Sequence, residues 1–268
     1  MEKAFFETSK MLGDANKIII PRLSKWMFDN RQITYDEDVM KTILTTLTTP
    51  GRDRSGSFAS SSAGKCQRAQ IYAYLGLDQN PITDINVLNM FNDGHWRHMR
   101  LQANLLQAGI IDDIELSLNW EAKRSKGSVD AVGTIPDDHP QVLWRGKQFG
   151  LEIKGAASMK ASKILMNGPD VYREQVDRYF LSGGFDFFSI LVEDRNFLGW
   201  TEFVYQADPV RIQKQRDELD DLNWYVDNEV IPDRIPECRN QSGEMWRACP
   251  FGGKGGICAR TNRWRDAA

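Results

Sequence analysis

The chain has 268 residues, 41% of them hydrophobic and 26% charged, with a formal net charge of −3. These proportions predict a soluble globular protein with a sizeable core, built as one large domain or two small ones. No stretch has the roughly 20 apolar residues of a membrane helix. Overall charge does not attract a polyanion, so a nucleic acid has to be held by a local patch or a metal.

The opening "MEKAFFETSKMLGDANKIIIPRL" carries acids early and only a short apolar run, Ile18 to Ile20. It matches neither a secretory signal nor an arginine-rich transit peptide, and the expected location is cytoplasmic. Residues 1 to about 48 read as an appended helical segment, and the Ser/Gly-rich "TTPGRDRSGSFASSSAGK" as a loop. "CQRAQIYAYLGL" is a short helix closed by Gly76, and "ITDINVLNMFNDGHWRHMRLQANLLQAG" a long one ending at Gly109. Three strands follow in "IIDDIELSL", "GSVDAVGTI" and "QFGLEIK". "PDVYREQVDRYFLSGG" is helical, "DFFSILVED" and "GWTEFVYQ" are strands, and Pro209 to Val230 is a last long helix before the glycine-rich "CPFGGKGGICAR". The order predicts an α/β fold with a small mixed sheet and flanking helices.

Strand alternation puts Glu152 and Lys154 on one face, with Leu151 and Ile153 on the other. For an isolated E-x-K the ordinary explanation is a solvated strand face. Asp130, in the preceding strand between Val129 and Ala131, changes the balance, because an acid in a strand core needs a positive partner. A basic side chain or a hard cation such as Mg²⁺ or Mn²⁺ meets that need. A water on such a cation is a nucleophile for phosphodiesters, and Lys154 would orient it and offset charge on the phosphate.

In the long helix Phe91, Gly94, His98, Leu101 and Leu105 fall at three- and four-residue steps, which predicts His98 on the buried stripe. It is a candidate ligand there, with a hydrogen-bonded core histidine as the alternative. His95 and His139 carry no assigned role. Gln175 and Tyr179 share a helix face, ready to meet a phosphate or a base, or to form a plain polar helix edge. Lys123, Arg124 and Lys126, with Lys254, Arg260 and Arg263, are candidate backbone guides or solvated charges. Cys66, Cys238, Cys249 and Cys258 lack a C-x-x-C pair, so buried thiols and a metal group both stand.

Taken in order, "GHWRH", "GSVD", "EIK" and "QVDRY" resemble the G-x-x-x-H helix, G-x-x-D strand, E-x-K strand and Q-x-x-x-Y helix of RecB-like PD-(D/E)XK nucleases. The resemblance spans roughly residues 58 to 260. It is to the iron–sulfur branch, which includes CRISPR-associated exonucleases, AddB-type nuclease domains and phage exonucleases.

The resemblance implies a nuclease core over 58–235, an N-terminal extension over 1–57, and a cluster-binding tail over 236–268 packed with Cys66. It implies that His98, Asp130, Glu152 and the Ile153 carbonyl bind Mg²⁺ or Mn²⁺. Lys154 would stand at the attacking water, and Gln175 and Tyr179 near the DNA. The four cysteines would hold a 4Fe–4S cluster. Relatives close with a tighter C-x-x-C than the ten residues between Cys238 and Cys249, and structural zinc stays open.

The implied activity is exonucleolytic cleavage of single-stranded DNA ends, 5′ to 3′, in recombination, repair or CRISPR adaptation, within a bacterial or phage-infected cell. A DNA-binding platform that assembles with a recombination or CRISPR-integration partner is the alternative.

Overall fold

The computed structural model describes residues 15–48, 55–253, 255–261 and 264. Residues 1–14 and 49–54 of the expected extension and loop lie outside these, as do Lys254 and Arg263. Helices α1 (Ile20–Asp29) and α2 (Glu37–Thr48) come first, then strand β1 (Phe58–Ala59) and helices α3 (Gln67–Tyr74) and α4 (Ile85–Gln107). β2 (Asp113–Trp120), β3 (Ser125–Thr134) and β4 (Gln148–Ala156) form a meander, followed by α5 (Ser158–Asn167) and α6 (Asp170–Gly183). β5 (Phe187–Asp194), β6 (Trp200–Gln206), α7 (Pro209–Asp227), α8 (Gly243–Ala248) and α9 (Ile257–Arg260) complete the fold. Local signals explain the long helices' starts. The Asp84 side chain accepts from the Asn86 N–H at 2.8 Å, and Asp208 accepts from Val210 at 2.9 Å just ahead of Pro209.

The six strands form one mixed sheet flanked by helices. β3 is its organising strand. Along one edge it pairs antiparallel with β2, and along the other it meets two partners at its two ends. β1 runs parallel beside Ser125 and Lys126, while β4 runs antiparallel beside Ala131 to Thr134. On this second edge residues 127–130 are left between them with no strand alongside, while β2 covers the other edge. This notch in the sheet lies where the sequence places G-S-V-D. Next to β4, the parallel β5 is buried on both faces, which explains its near-continuous apolar run.

Two cores fill the sheet's sides, and a third is separate. One joins Met99, Leu101 and Leu105 of α4 to Phe149, Leu151 and Ile153 of β4, together with Ile18, Ile19, Leu23 and Ile43 from the N-terminal helices. A second sets Val176 and Tyr179 of α6 and Ile164 of α5 against Phe188, Ile190 and Val192. The third combines Ile71 and Tyr72 of α3 with Leu219 and Leu222 of α7 and with Cys238, Trp246, Phe251 and Cys258 of the tail. The N-terminal helices thus share the sheet's main core, and a carboxylate fastens them there. Buried Glu202 of β6 accepts from the N–H groups of Ile18, Ile19 and Ile20, each at 2.9 Å, and from Ser189 Oγ at 2.8 Å. This anion lies at the positive end of α1.

One expectation is corrected. Phe91 is 64% exposed and lies off the buried stripe, which α4 builds instead from Arg97, Met99, Leu101, Gln102 and Leu105. The sequence reading assigned no element to α5, whose Ser- and Lys-containing sequence offers one buried position, Ile164.

Candidate active site

The β3–β4 ladder ends at Ala131 opposite Leu151. One step further, the Asp130 side chain takes the ladder's place, its Oδ2 accepting the Ile153 N–H at 2.6 Å. Asp130 Oδ1 faces His98 Nδ1 at 3.4 Å, so α4 delivers its histidine over the end of the ladder. Glu152, 2% exposed, is held through Oε1 by Lys154 Nζ and by Gln175 Nε2 at 2.8 Å. Lys154 Nζ also faces Gln175 Oε1 at 3.4 Å. The four sequence motifs therefore meet in the notch.

Tyr179 serves this group from behind. Its ring is buried against Phe188, and its hydroxyl donates to the Ser128 carbonyl at 2.7 Å and accepts from Gln175 Nε2 at 2.6 Å. α6 is thereby braced against the stretch of β3 whose edge between β1 and β4 is open. Gly127 permits the approach, since a Cβ there would stand 2.8 Å from the Tyr179 ring and 2.5 Å from Ser60 Oγ.

Burial pushes the Glu152 carboxyl up, the Asp130 charge adds to it, and Lys154 only partly offsets them, leaving Glu152 at about 7. Asp130 is also penalised by burial, yet His98, Lys154 and the Ile153 N–H outweigh that penalty and hold it below the usual range. His98 and Lys154 are raised because nearby carboxylates overcome their burial. Lys154 is therefore a charged ammonium at neutral pH. Burial and the Lys154 charge lower Lys65, which places it within electrostatic reach of the notch. Tyr172, three residues before Gln175, was not singled out from sequence. Both Lys154 and Lys160 approach its ring, at 5.4 and 5.2 Å from the centroid.

Two acids fit a cation here. Glu152 Oε2 is buried with no hydrogen-bond partner, an arrangement that costs free energy unless a cation supplies the missing contact. Glu115 of β2, absent from the sequence reading, offers an oxygen to a group with His98 and Asp130, all within 4.8 Å of one another.

The remaining predicted residues fall elsewhere. Lys123 pairs with Asp220, and Arg124 bonds Asp227 at 2.7 Å and Asn223 at 2.8 Å, so both fasten the β2–β3 turn to α7. Lys126 and Arg260 are exposed. His139 is buried, its Nε2 3.0 Å from the Lys17 carbonyl. All four cysteines are free thiols lining one cavity of about 630 Å³ between α3 and the tail. Burial and the neighbouring sulfurs push Cys238 up.

No protein-family model matches the sequence, and no curated protein matches it. Among solved structures, the chain is similar to the alkaline exonuclease LHK-Exo from Laribacter hongkongensis, with 13% identity and a TM-score of 0.46 over 66% of this chain and 90% of that one. LHK-Exo in complex with dAMP gives 13% and 0.47 over the same shares. SSO0001 gives 15% and 0.41 over 69% and 84%.

Proposed function

We propose that the chain is a metal-dependent deoxyribonuclease that hydrolyses phosphodiester bonds at the β3–β4 notch, acting on single-stranded DNA ends. The observation that carries this reading is the buried, unpartnered Glu152 Oε2, on a carboxyl that feels the Asp130 charge and is bonded by Lys154. Asp130, Glu152, the Ile153 carbonyl and His98 are the residues that would hold Mg²⁺ or Mn²⁺. When bound, such an ion acidifies water and neutralises phosphate charge.

Lys154 stays protonated beside Glu152, so its part is to donate hydrogen bonds and offset charge, not to accept a proton. Gln175 fixes both Glu152 and Lys154. In the reaction a water oxygen bonds to phosphorus as the P–O bond to the leaving nucleotide breaks. Exposed Phe91 and Trp96 on α4, ahead of His98, and the Tyr172 ring offer flat faces for unpaired bases. The 5′ to 3′ polarity and a role in recombination, repair or CRISPR adaptation extend this reading from the sequence resemblance.

The cysteine cavity would hold a 4Fe–4S cluster that ties α3 to the tail. Structural zinc held by the same four thiolates is the alternative. Anaerobically purified protein is expected to be brown, and Cys249→Ser to lose that absorbance; a colourless, zinc-loaded protein would overturn the assignment.

The test of activity is end-labelled single-stranded and duplex DNA with Mn²⁺ or Mg²⁺. Lys154→Ala and Glu152→Gln are each expected to lower the cleavage rate by about 10³-fold while leaving the far-ultraviolet dichroism intact. Wild-type protein that binds DNA and never cuts it would favour the assembly-platform reading.

A further inference from the structure

A chain with a net charge of −3 holds a polyanion only through a local patch, and two of the cations first considered for that part are committed elsewhere. Lys123 and Arg124 are paired with acids of α7. Helix α5 offers another patch. Its 10 residues, Ser158–Asn167, include Lys160 and Lys163 and no Asp or Glu. Both lysines are exposed, and three residues apart they share one side of the helix. Among the described residues, no hydrogen bond or ion pair holds either ammonium.

The setting of Lys160 is costly without an anion. It stands in the first turn of α5, where the positive end of a helix disfavours a cation and where this helix has no acid to offset it. Its ammonium is 5.2 Å from the centroid of the Tyr172 ring, and that of Lys154 is 5.4 Å from the same centroid. The ring attracts both cations but has no charge to cancel either. Lys154 is held by Glu152, whereas Lys160 has a like charge and a helix terminus as neighbours. The helix is fixed in this place at two points. Ser158 Oγ donates to Asp194 Oδ1 at 2.9 Å, and Ile164 is buried in the core beneath α6. The lysines of α5 are therefore delivered to the notch from a defined direction.

We propose that Lys160 and Lys163 form a phosphate track that holds a single DNA strand along α5, with Lys160 on the phosphate next to the scissile one. Lys154 faces the scissile phosphate, and two ammoniums gathered at one ring are close enough to meet successive phosphates of one strand. Lys163, about one turn further along the helix, continues the line away from the notch. The contacts are to backbone phosphates and therefore independent of base sequence. The proposal rests on the nuclease reading and adds to it the side of the notch along which the strand lies.

The experiment is steady-state cleavage of a single-stranded oligonucleotide by the full chain with Mn²⁺, over a salt series. Lys160→Ala is expected to raise KM by about tenfold with kcat nearly unchanged, and Lys160→Arg, which keeps the charge, to restore KM. Lys160→Ala and Lys163→Ala should each lower the salt slope of kcat/KM by about 0.7, the share of one phosphate contact on a single strand, while Lys25→Ala on α1 should leave it unchanged. A neutral methylphosphonate at the linkage next to the scissile one should cost wild type about tenfold in KM and cost Lys160→Ala nothing more, a coupling that a merely structural lysine does not produce. Wild type that cuts DNA while Lys160→Ala keeps its KM and salt slope would overturn the proposal and leave the nuclease reading standing. Losses from the methylphosphonate and from Lys160→Ala that simply multiply would do the same. Wild type that cuts no DNA would overturn both.

Discussion

At Glu152, burial and the Asp130 charge both favour the neutral acid, and Lys154 opposes them. Its carboxyl titrates at about 7 in the folded chain, against 4.5 for an unperturbed glutamate. Between those values the folded state binds more protons than the unfolded one, so stability falls as pH rises through this window. The loss is on the order of 3 kcal/mol for the metal-free protein. Glu152→Gln is expected to flatten the dependence and to be more stable than wild type at pH 8, with the gap closing near pH 5; urea unfolding across that range measures it. Identical slopes in both proteins would remove Glu152 as the cause. Much of this residue-level chemistry is legible in the sequence. Period-two alternation pairs Glu152 with Lys154, and a helical step pairs Gln175 with Tyr179. Glu115 is not legible, because its meaning depends on the β2–β3 register and on a positive φ that one sequence does not display.

Helix α4 carries His98, and its angle against the sheet depends on the neighbouring residue. Arg97 is buried, bonding Glu193 Oε2 of β5 at 2.7 Å and Asp93 at 2.8 Å. Arg100 and the Trp200 indole complete the shell of Glu193, at 2.6 and 2.9 Å. The guanidinium lies over Gly155, where a Cβ would come within 2.3 Å of its NH1 nitrogen. The residue after the E-x-K motif thus leaves space for the residue before the histidine. Arg97→Met is expected to lower unfolding free energy by about 3 kcal/mol, since Glu193 loses one of two cations in a buried setting. Gly155→Ala should be damaging in wild type and nearly harmless beside Arg97→Ala, a coupling that a double-mutant cycle reads directly. Additive effects would contradict the contact. Sequence reading placed α4 correctly as a helix but set its buried stripe through Phe91. The positions that Arg97 takes inward are polar, and their partner is nearly a hundred residues away.

Across the whole molecule, Glu202 fastens the start of α1 to the sheet, and the proposed cluster would be a second fastening, tying α3 to the tail. Glu202 gathers three successive N–H groups at the start of α1. Glu202→Ala should therefore destabilise by about 2–3 kcal/mol in urea unfolding. The same loss in a chain that begins after Ile20, which lacks all three donors, would show that the contact is not responsible. The first was not legible beforehand, since it needs the fold to bring residue 202 to residue 19, whereas the packing of the tail with Cys66 was implied by the sequence resemblance, and all four cysteines line one cavity. The second fastening reaches the notch. β1 contributes only Phe58 and Ala59 to one wall, and its chain runs through the Ser60–Ser62 turn to Cys66. So short a strand has few ladder bonds, and the Phe58 amide, bonded to the Arg124 carbonyl at 2.6 Å, reports how often it opens. Removing the proposed cluster should speed hydrogen exchange at Phe58 while leaving Leu151, in the longer ladder, protected. The notch would then have one rigid wall and one whose opening is governed by the cysteines.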